Sequence, residues 1–205
     1  MLEQDEYALD DVDALRGLIA GHGWVTLVSA ADAGPVVSHL PVLLENGRGC
    51  EIVGHLARAD AERHRLGEHP VVVVVQGPHG YVSPTLYAAG PYVPTWNFVV
   101  AHLHGTPEVL GGDETFDVLR RTVDHFEAER PVPWRLESVP EYAHSLAPYT
   151  TGFRLRPDRI VGKQKLSQEK PRAVAERVIT ALGGDDPQRN PQLAAAMRQV
   201  VTADE

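Results

Sequence analysis

A chain of 205 residues with 43% hydrophobic and 23% charged residues is long enough to bury one sizeable core, and its Gly and Pro are scattered rather than bunched into a linker. The net charge of −9 at neutral pH, with no dense basic stripe, argues against direct binding of nucleic acid, because a duplex-binding surface needs Lys and Arg to neutralise phosphates. A single cysteine, Cys50, excludes an internal disulfide and a cysteine-based zinc site. The apolar runs, such as Val71 to Val75, are too short to span a bilayer. The acidic start Met1-Leu2-Glu3-Gln4-Asp5-Glu6 does not read as a secretory leader, so a soluble cytoplasmic protein without a membrane segment is expected.

In chain order, Asp10 or Asp11 caps a helix with Val12, Leu15, Leu18 and Ile19 at helical spacing, stopped by Gly21 and Gly23. Strands follow. Trp24 to Ser29 alternates, the turn Ala31-Asp32-Ala33-Gly34-Pro35 returns the chain into Val36 to Leu44, and a second turn over 45–49 leads into Cys50 to Leu56. Ala59 to Leu66 reads as a short helix. The valine run at 71–75 is a buried strand passing into a long loop, Gln76-Gly77-Pro78-His79-Gly80-Tyr81-Val82-Ser83-Pro84 and on to Pro94-Thr95-Trp96-Asn97. Further strands are predicted at 98–104 and 106–110, with a bend at Gly105 to Pro107. Asp113 to Glu127 is the clearest helix, with Phe116, Leu119, Val123 and Phe126 on one face. A short helix near 141–147, closing strands at 151–156 and 159–165, and helices at 170–182 and 190–200 complete the chain.

About seven antiparallel strands with peripheral helices suggest a mainly β (α+β) fold built on a small antiparallel barrel, since closing the sheet removes exposed edges. The order of elements is not that of a dinucleotide-binding fold. No helix pair reads as a helix-turn-helix.

Groups suited to a phosphorylated ligand are separated in sequence. Gly54-His55-Leu56-Ala57-Arg58-Ala59-Asp60 passes from a strand into a helix start and carries an Arg fork. Its plainer reading pairs Arg58 with Asp60 or Glu62 on the surface. Lys163 and Lys165 point to one side of a strand end, where a solvated rim is the alternative. His102 and His104 share a strand face without a third ligand at matching spacing, and no nucleophile elbow or phosphate loop is present. Haem ligation by one histidine needs no motif, so haem is an alternative cofactor.

Read in order, Ser38-His39-Leu40-Pro41, Gly54-His55-Leu56-Ala57-Arg58-Ala59, Gln76-Gly77-Pro78-His79, Tyr81-Val82-Ser83-Pro84, Val93-Pro94-Thr95-Trp96-Asn97 and Lys165-Leu166-Ser167-Gln168 resemble the signature of the PaiB-like family of FMN-binding proteins. Members of that family are often labelled negative transcriptional regulators. The resemblance spans roughly residues 20 to 182. It implies an FMN-binding split barrel related to pyridoxamine-phosphate oxidases, and a homodimer with flavin near the subunit interface. Residues 1–182 would form that single domain, and 183–205 a helical tail packed on the barrel or on the partner subunit.

The site residues implied are Ser38, His39, Leu40, Arg58, Ala59, Asp60, Gln76, Thr95, Trp96, Asn97, Lys165, Ser167 and Gln168. Arg58 with Lys165 would anchor the phosphate and Trp96 would pack the ring. Gln76, Asn97 and Gln168 would meet the polar edge, with Ser38 and His39 on the wall. Asp60 and Glu169 stand where the family has Asn, and the Tyr-x-Pro start is absent. Flavin-dependent oxidoreduction is the leading expectation, and a regulatory or sensing module the alternative.

Overall fold

The computed structural model describes residues 1–31 and 34–203; Asp32 and Ala33 of the expected first turn lie outside them. Among the described residues eight strands are formed: β1 (Trp24–Ala31), β2 (Gly34–Leu44), β3 (Ile52–Ala57), β4 (Val71–Val82), β5 (Thr95–Gly105), β6 (Glu108–Val109), β7 (Thr150–Leu155) and β8 (Arg159–Lys165). Their order in the sheet is β6-β7-β3-β2-β1-β4-β5-β8. The helices are α1 (Val12–Gly21), α2 (Arg58–His64), α3 (Pro84–Tyr87), α4 (Gly112–Glu127), α5 (Pro140–Leu146), α6 (Arg172–Gly183) and α7 (Pro191–Ala203). The chain separates into two compact units that interleave in sequence. The larger comprises Asp11–Val75 and His102–Ile160, and the smaller Met1–Asp10, Gln76–Ala101 and Val161–Glu205.

In the larger unit β1 pairs antiparallel with β2 from Trp24 opposite Pro41 to Ala31 opposite Gly34, and β3 joins β2 to β7. Alternation along β1 sends Val25 and Leu27 into the core and leaves Trp24 exposed. Asp11 caps α1, its Oδ1 accepting from Ala14 N at 2.8 Å. Leu43, Val53, Leu110 and Val118 form a buried cluster that locks α4 onto the sheet. The contact is close because Gly152 of β7 has no side chain: a Cβ there would lie 2.8 Å from Thr115 Oγ1 and 3.0 Å from Thr115 Cα.

The buried stripe of α4 is not the expected one. Thr115, Val118 and Thr122 are buried, whereas Phe116, Leu119 and Val123 are half-buried and Phe126 is exposed. Thr115 Oγ1 donates to Leu110 O at 3.3 Å and accepts from Gly152 N at 3.1 Å, and Thr122 Oγ1 donates to Val118 O at 2.8 Å. With their hydroxyls satisfied, two small β-branched residues pack on the sheet at little cost. The apolar face expected from periodicity is left to line cavities.

A second correction concerns the expected long loop. The strand that starts at Val71 continues through Gly77 and Pro78 to Val82, and Thr95, Trp96 and Asn97 already belong to β5. Proline lacks a backbone donor, but β4 pairs with β1 only from Val71 to Val74, so Pro78 lies beyond that ladder. The strand expected over 106–110 shrinks to Glu108–Val109.

In the smaller unit α6 packs on α7 through Val178, Ile179, Leu182, Leu193, Ala194 and Met197, all buried. Asn190 caps α7, Oδ1 accepting from Leu193 N at 3.1 Å, and its Nδ2 donates to His79 O at 2.9 Å. The N-terminal segment is tied down by buried Lys163, whose Nζ donates to Leu2 O and Gln4 Oε1, each at 2.9 Å, and lies 5.5 Å from the centre of the Tyr7 ring. Burial, aided by Glu169 and Glu6, pushes the Tyr7 phenol up to about 12. Among the described residues no helix is long and apolar enough to cross a membrane.

Candidate functional site

In the larger unit the first expected segment is built around a buried imidazole. His64, the last residue of α2, is 0% exposed; its Nδ1 lies 2.8 Å from Ser29 Oγ and its Nε2 3.0 Å from Ser38 Oγ. A neutral imidazole donates through one nitrogen and accepts through the other, so it bridges β1 and β2 with both nitrogens satisfied. Burial holds its pKa below the ordinary histidine value, with Asp60 opposing and His69 reinforcing the shift. The folded state therefore resists a proton that the unfolded chain takes up near pH ~6.5, and stability falls as the pH drops through that value. His64→Gln can keep one donor and one acceptor without titrating. The melting temperature of the parent should drop more steeply than that of the variant between about pH 7.5 and about pH 5.5; equal slopes would remove His64 from the pH response.

Neighbouring His39 is exposed and its Nδ1 lies 3.1 Å from Thr26 Oγ1, while Leu40 is buried at 2% exposure. On β2 Leu40 is thus a core residue, with Ser38 tied to the imidazole and His39 turned outward.

Arg58 opens α2 and lines a cavity of about 610 Å³. It makes no ion pair or hydrogen bond with another described residue, so the expected pairing with Asp60 or Glu62 does not occur. Around it stand Thr150 and Thr151 of β7, Asp113 of α4, and Phe116 with His144. The last two rings are stacked, with centroids 4.2 Å apart and planes at 24°. Sequence reasoning did not single out Thr150, Thr151 or His144 and placed Phe116 on a core face. The strand end at 150–151 and the half-buried aromatic opposite it were the available signals. Ala59 is exposed and Asp60 half-buried on the same helix. An unpaired guanidinium, two hydroxyls and a flat ring pair in one cavity fit the phosphate and the planar ring of a flavin nucleotide, with Asp113 an opposing charge among the lining residues and Asp60 another on α2.

The remaining expected residues lie in the smaller unit. Lys165 Nζ donates to Thr95 Oγ1 at 2.5 Å. Trp96 is 50% exposed, stacks on His79 with centroids 6.0 Å apart, and donates from Nε1 to His79 Nδ1 at 3.3 Å. Gln76 is exposed. Asn97 and Ser167 are both fully buried: Asn97 Nδ2 donates to Ser167 Oγ at 2.9 Å, and Ser167 lies 3.2 Å from Asn97 Oδ1. This pair holds Ser167 at φ 64°, a left-handed conformation that costs a non-glycine residue about 1 kcal/mol. Gln168 uses its amide on the backbone, accepting from Leu166 N at 2.7 Å and donating to Gln164 O at 2.8 Å. The amides of Asn97 and Gln168 are therefore bonded to protein groups. Glu169 carries Lys170 at 3.2 Å, which offsets its charge.

Solved structures of the same fold include the flavocytochrome Anf3 from Azotobacter vinelandii, 17% identical with a TM-score of 0.58 over 78% of this chain and 69% of that one. The FAD and heme binding protein from Mycobacterium smegmatis is 21% identical, with a TM-score of 0.59 over 78% of this chain and 73% of that one. The likeness defines the fold class as the antiparallel split barrel of these flavoproteins. Residues 1–159 match the family described as "Putative FMN-binding domain". The chain belongs to that FMN-binding family, and FMN is its cofactor. Lys165, Ser167 and Gln168 lie beyond the matched residues. The PaiB-like resemblance is supported by the Bacillus subtilis protein called protease synthase and sporulation protein PAI 2, 26% identical over 195 residues, or 93% of each chain. An uncharacterized protein of Aspergillus fumigatus is 34% identical over 131 residues, which are 53% of this chain and 50% of that protein, so the chain spans about half of its length.

Proposed function

We propose that the larger unit seats FMN with its phosphate on Arg58 and the hydroxyls of Thr150 and Thr151, and that the chain is a flavin-dependent oxidoreductase. The observation that carries the reading is the unpaired Arg58 guanidinium in a cavity of about 610 Å³, within the range of about 300–1,000 Å³ typical of small-molecule sites. FMN supplies the redox chemistry when bound; the protein supplies placement and electrostatics. Phe116 and His144 offer a flat apolar wall, and the Ser29–His64–Ser38 bridge fixes the helix that presents Arg58. Ala59 lets the ligand approach closely, while Asp60 and Asp113 oppose the phosphate. Taken by itself, the smaller unit carries Gln76, Trp96, Thr95 and Lys165 as further proposed cofactor-binding residues, whereas its Asn97, Ser167 and Gln168 hold the backbone.

Titration of the purified protein with FMN, followed by flavin fluorescence, tests the reading: saturable quenching at one flavin per chain is expected, and unquenched emission would sink it. The absorbance spectrum separates a second cofactor. A flavocytochrome and a FAD and heme binding protein are among the solved structures above, and a Soret band after hemin addition would favour haem here. A homodimer in the cytoplasm is the proposed state, resting on the family resemblance and on the lone Cys50. The PaiB-like resemblance favours a regulatory or sensing role as the second reading. The net charge of −9 argues that such a role runs through partners or metabolites rather than direct DNA contact. Gel retardation that weakens with salt would contradict this.

A further inference from the structure

The face of α4 that periodicity assigned to the core lines a second cavity of about 610 Å³ in the larger unit, between that helix, the sheet and the segment around α5. Its walls include Trp24, Val123, Phe126, Trp134 and Leu146, with His55 of β3 on the sheet side. Trp24 is 66% exposed and Phe126 56% exposed, more apolar surface than a solvated face normally leaves open. The cavity is pre-formed: the Trp134 backbone N–H donates to Glu127 Oε2 at 3.0 Å, and Arg130 holds the other oxygen of the same carboxylate at 3.1 Å.

The polar feature is His55. Its Nδ1 is buried with no hydrogen-bond partner, and the ring makes no hydrogen bond to any described residue. Burial holds its pKa below the ordinary histidine value, so the ring is neutral near pH ~7. An orphaned buried N–H is rarer and costlier than an orphaned lone pair, so the proton resides on Nε2. Nε2–H is then the ring's unmet donor, and His55 is one of the residues that line the cavity. A partner that packs apolar surface alone would leave that donor unmet.

We propose that this cavity binds a planar aromatic molecule bearing a carbonyl-type oxygen, with its rings packed by Trp24, Phe126 and Trp134 and its oxygen accepting from His55 Nε2–H. The site is separate from the Arg58 cavity and does not rest on the flavin seat proposed there.

The test uses the full chain loaded with FMN and two probes of one shape, 2-acetylnaphthalene, which has the acceptor, and 2-ethylnaphthalene, which lacks it. Binding is read from the tryptophan emission. The parent should bind the ketone about five- to tenfold tighter, the typical effect of one neutral hydrogen bond. His55→Phe should bind both equally, His55→Gln should recover part of the preference, and Leu146→Trp at the rim should weaken both. Unchanged flavin absorbance in each variant reports an intact fold. Equal affinities in the parent, a preference that survives in His55→Phe, or binding indifferent to Leu146→Trp would overturn the proposal. So would a failure of the FMN-loaded parent to bind either probe, which would mean that the flavin or a second chain fills the cavity.

Discussion

Gly54→Val is expected to destabilise the larger unit by about 3 kcal/mol, the upper end of the usual penalty for overfilling a packed interior. A Cβ at Gly54 would lie 2.9 Å from both Cε1 and Cζ of Phe153 and 3.0 Å from the carbonyl oxygen of Pro41. Neither neighbour can yield easily. Phe153 is 0% exposed and stands opposite Gly54 in the β3–β7 ladder, and Pro41 O belongs to the backbone of β2. Urea denaturation of the variant should show a much lower midpoint with an unchanged slope. Adding Phe153→Leu should return part of the loss, because the two sites share one space and are not additive. A Gly54→Val protein within about 0.5 kcal/mol of the parent would show that the sheet is not closed over this position.

Arg58→Ala is expected to weaken FMN binding by about one to two orders of magnitude, the typical worth of a charge-assisted hydrogen bond to phosphate. Arg58→Lys should recover only part of the affinity, since an ammonium keeps the charge but not the planar fork. Fold stability should be unaffected, because the side chain is exposed and makes no bond within the described chain. Unchanged flavin titration in Arg58→Ala would remove this residue from the phosphate seat while leaving family membership intact.

Much of the strand pattern was legible because alternation is a local signal. Val25 and Leu27 on β1 and the valine run of β4 take the faces that their spacing dictates. The sequence also narrowed the cap of α1 to Asp10 or Asp11, of which Asp11 fills it, and placed the helix at α6. What it hid depends on partners distant in the chain. Thr115 and Thr122 look like surface residues until Leu110 O, Gly152 N and Val118 O satisfy them. Pro78 looks like a loop residue until the ladder to β1 is seen to end at Val74. Asn97 and Ser167 look like ligand groups, yet they meet each other across a separation of 70 residues. The interleaving of two compact units along one chain has no compositional mark at all. At the candidate site Arg58 was readable from its motif. The hydroxyls and rings around it come from β7, α4 and α5, which only tertiary packing brings together.

Ala147 and Thr150 border both cavities of the larger unit, so the short turn between them is a party wall. A guest that shifts this turn on one side alters the room available on the other. The two chambers are then thermodynamically linked, with whatever sign the shift carries, and each occupant must change the other's affinity by the same factor.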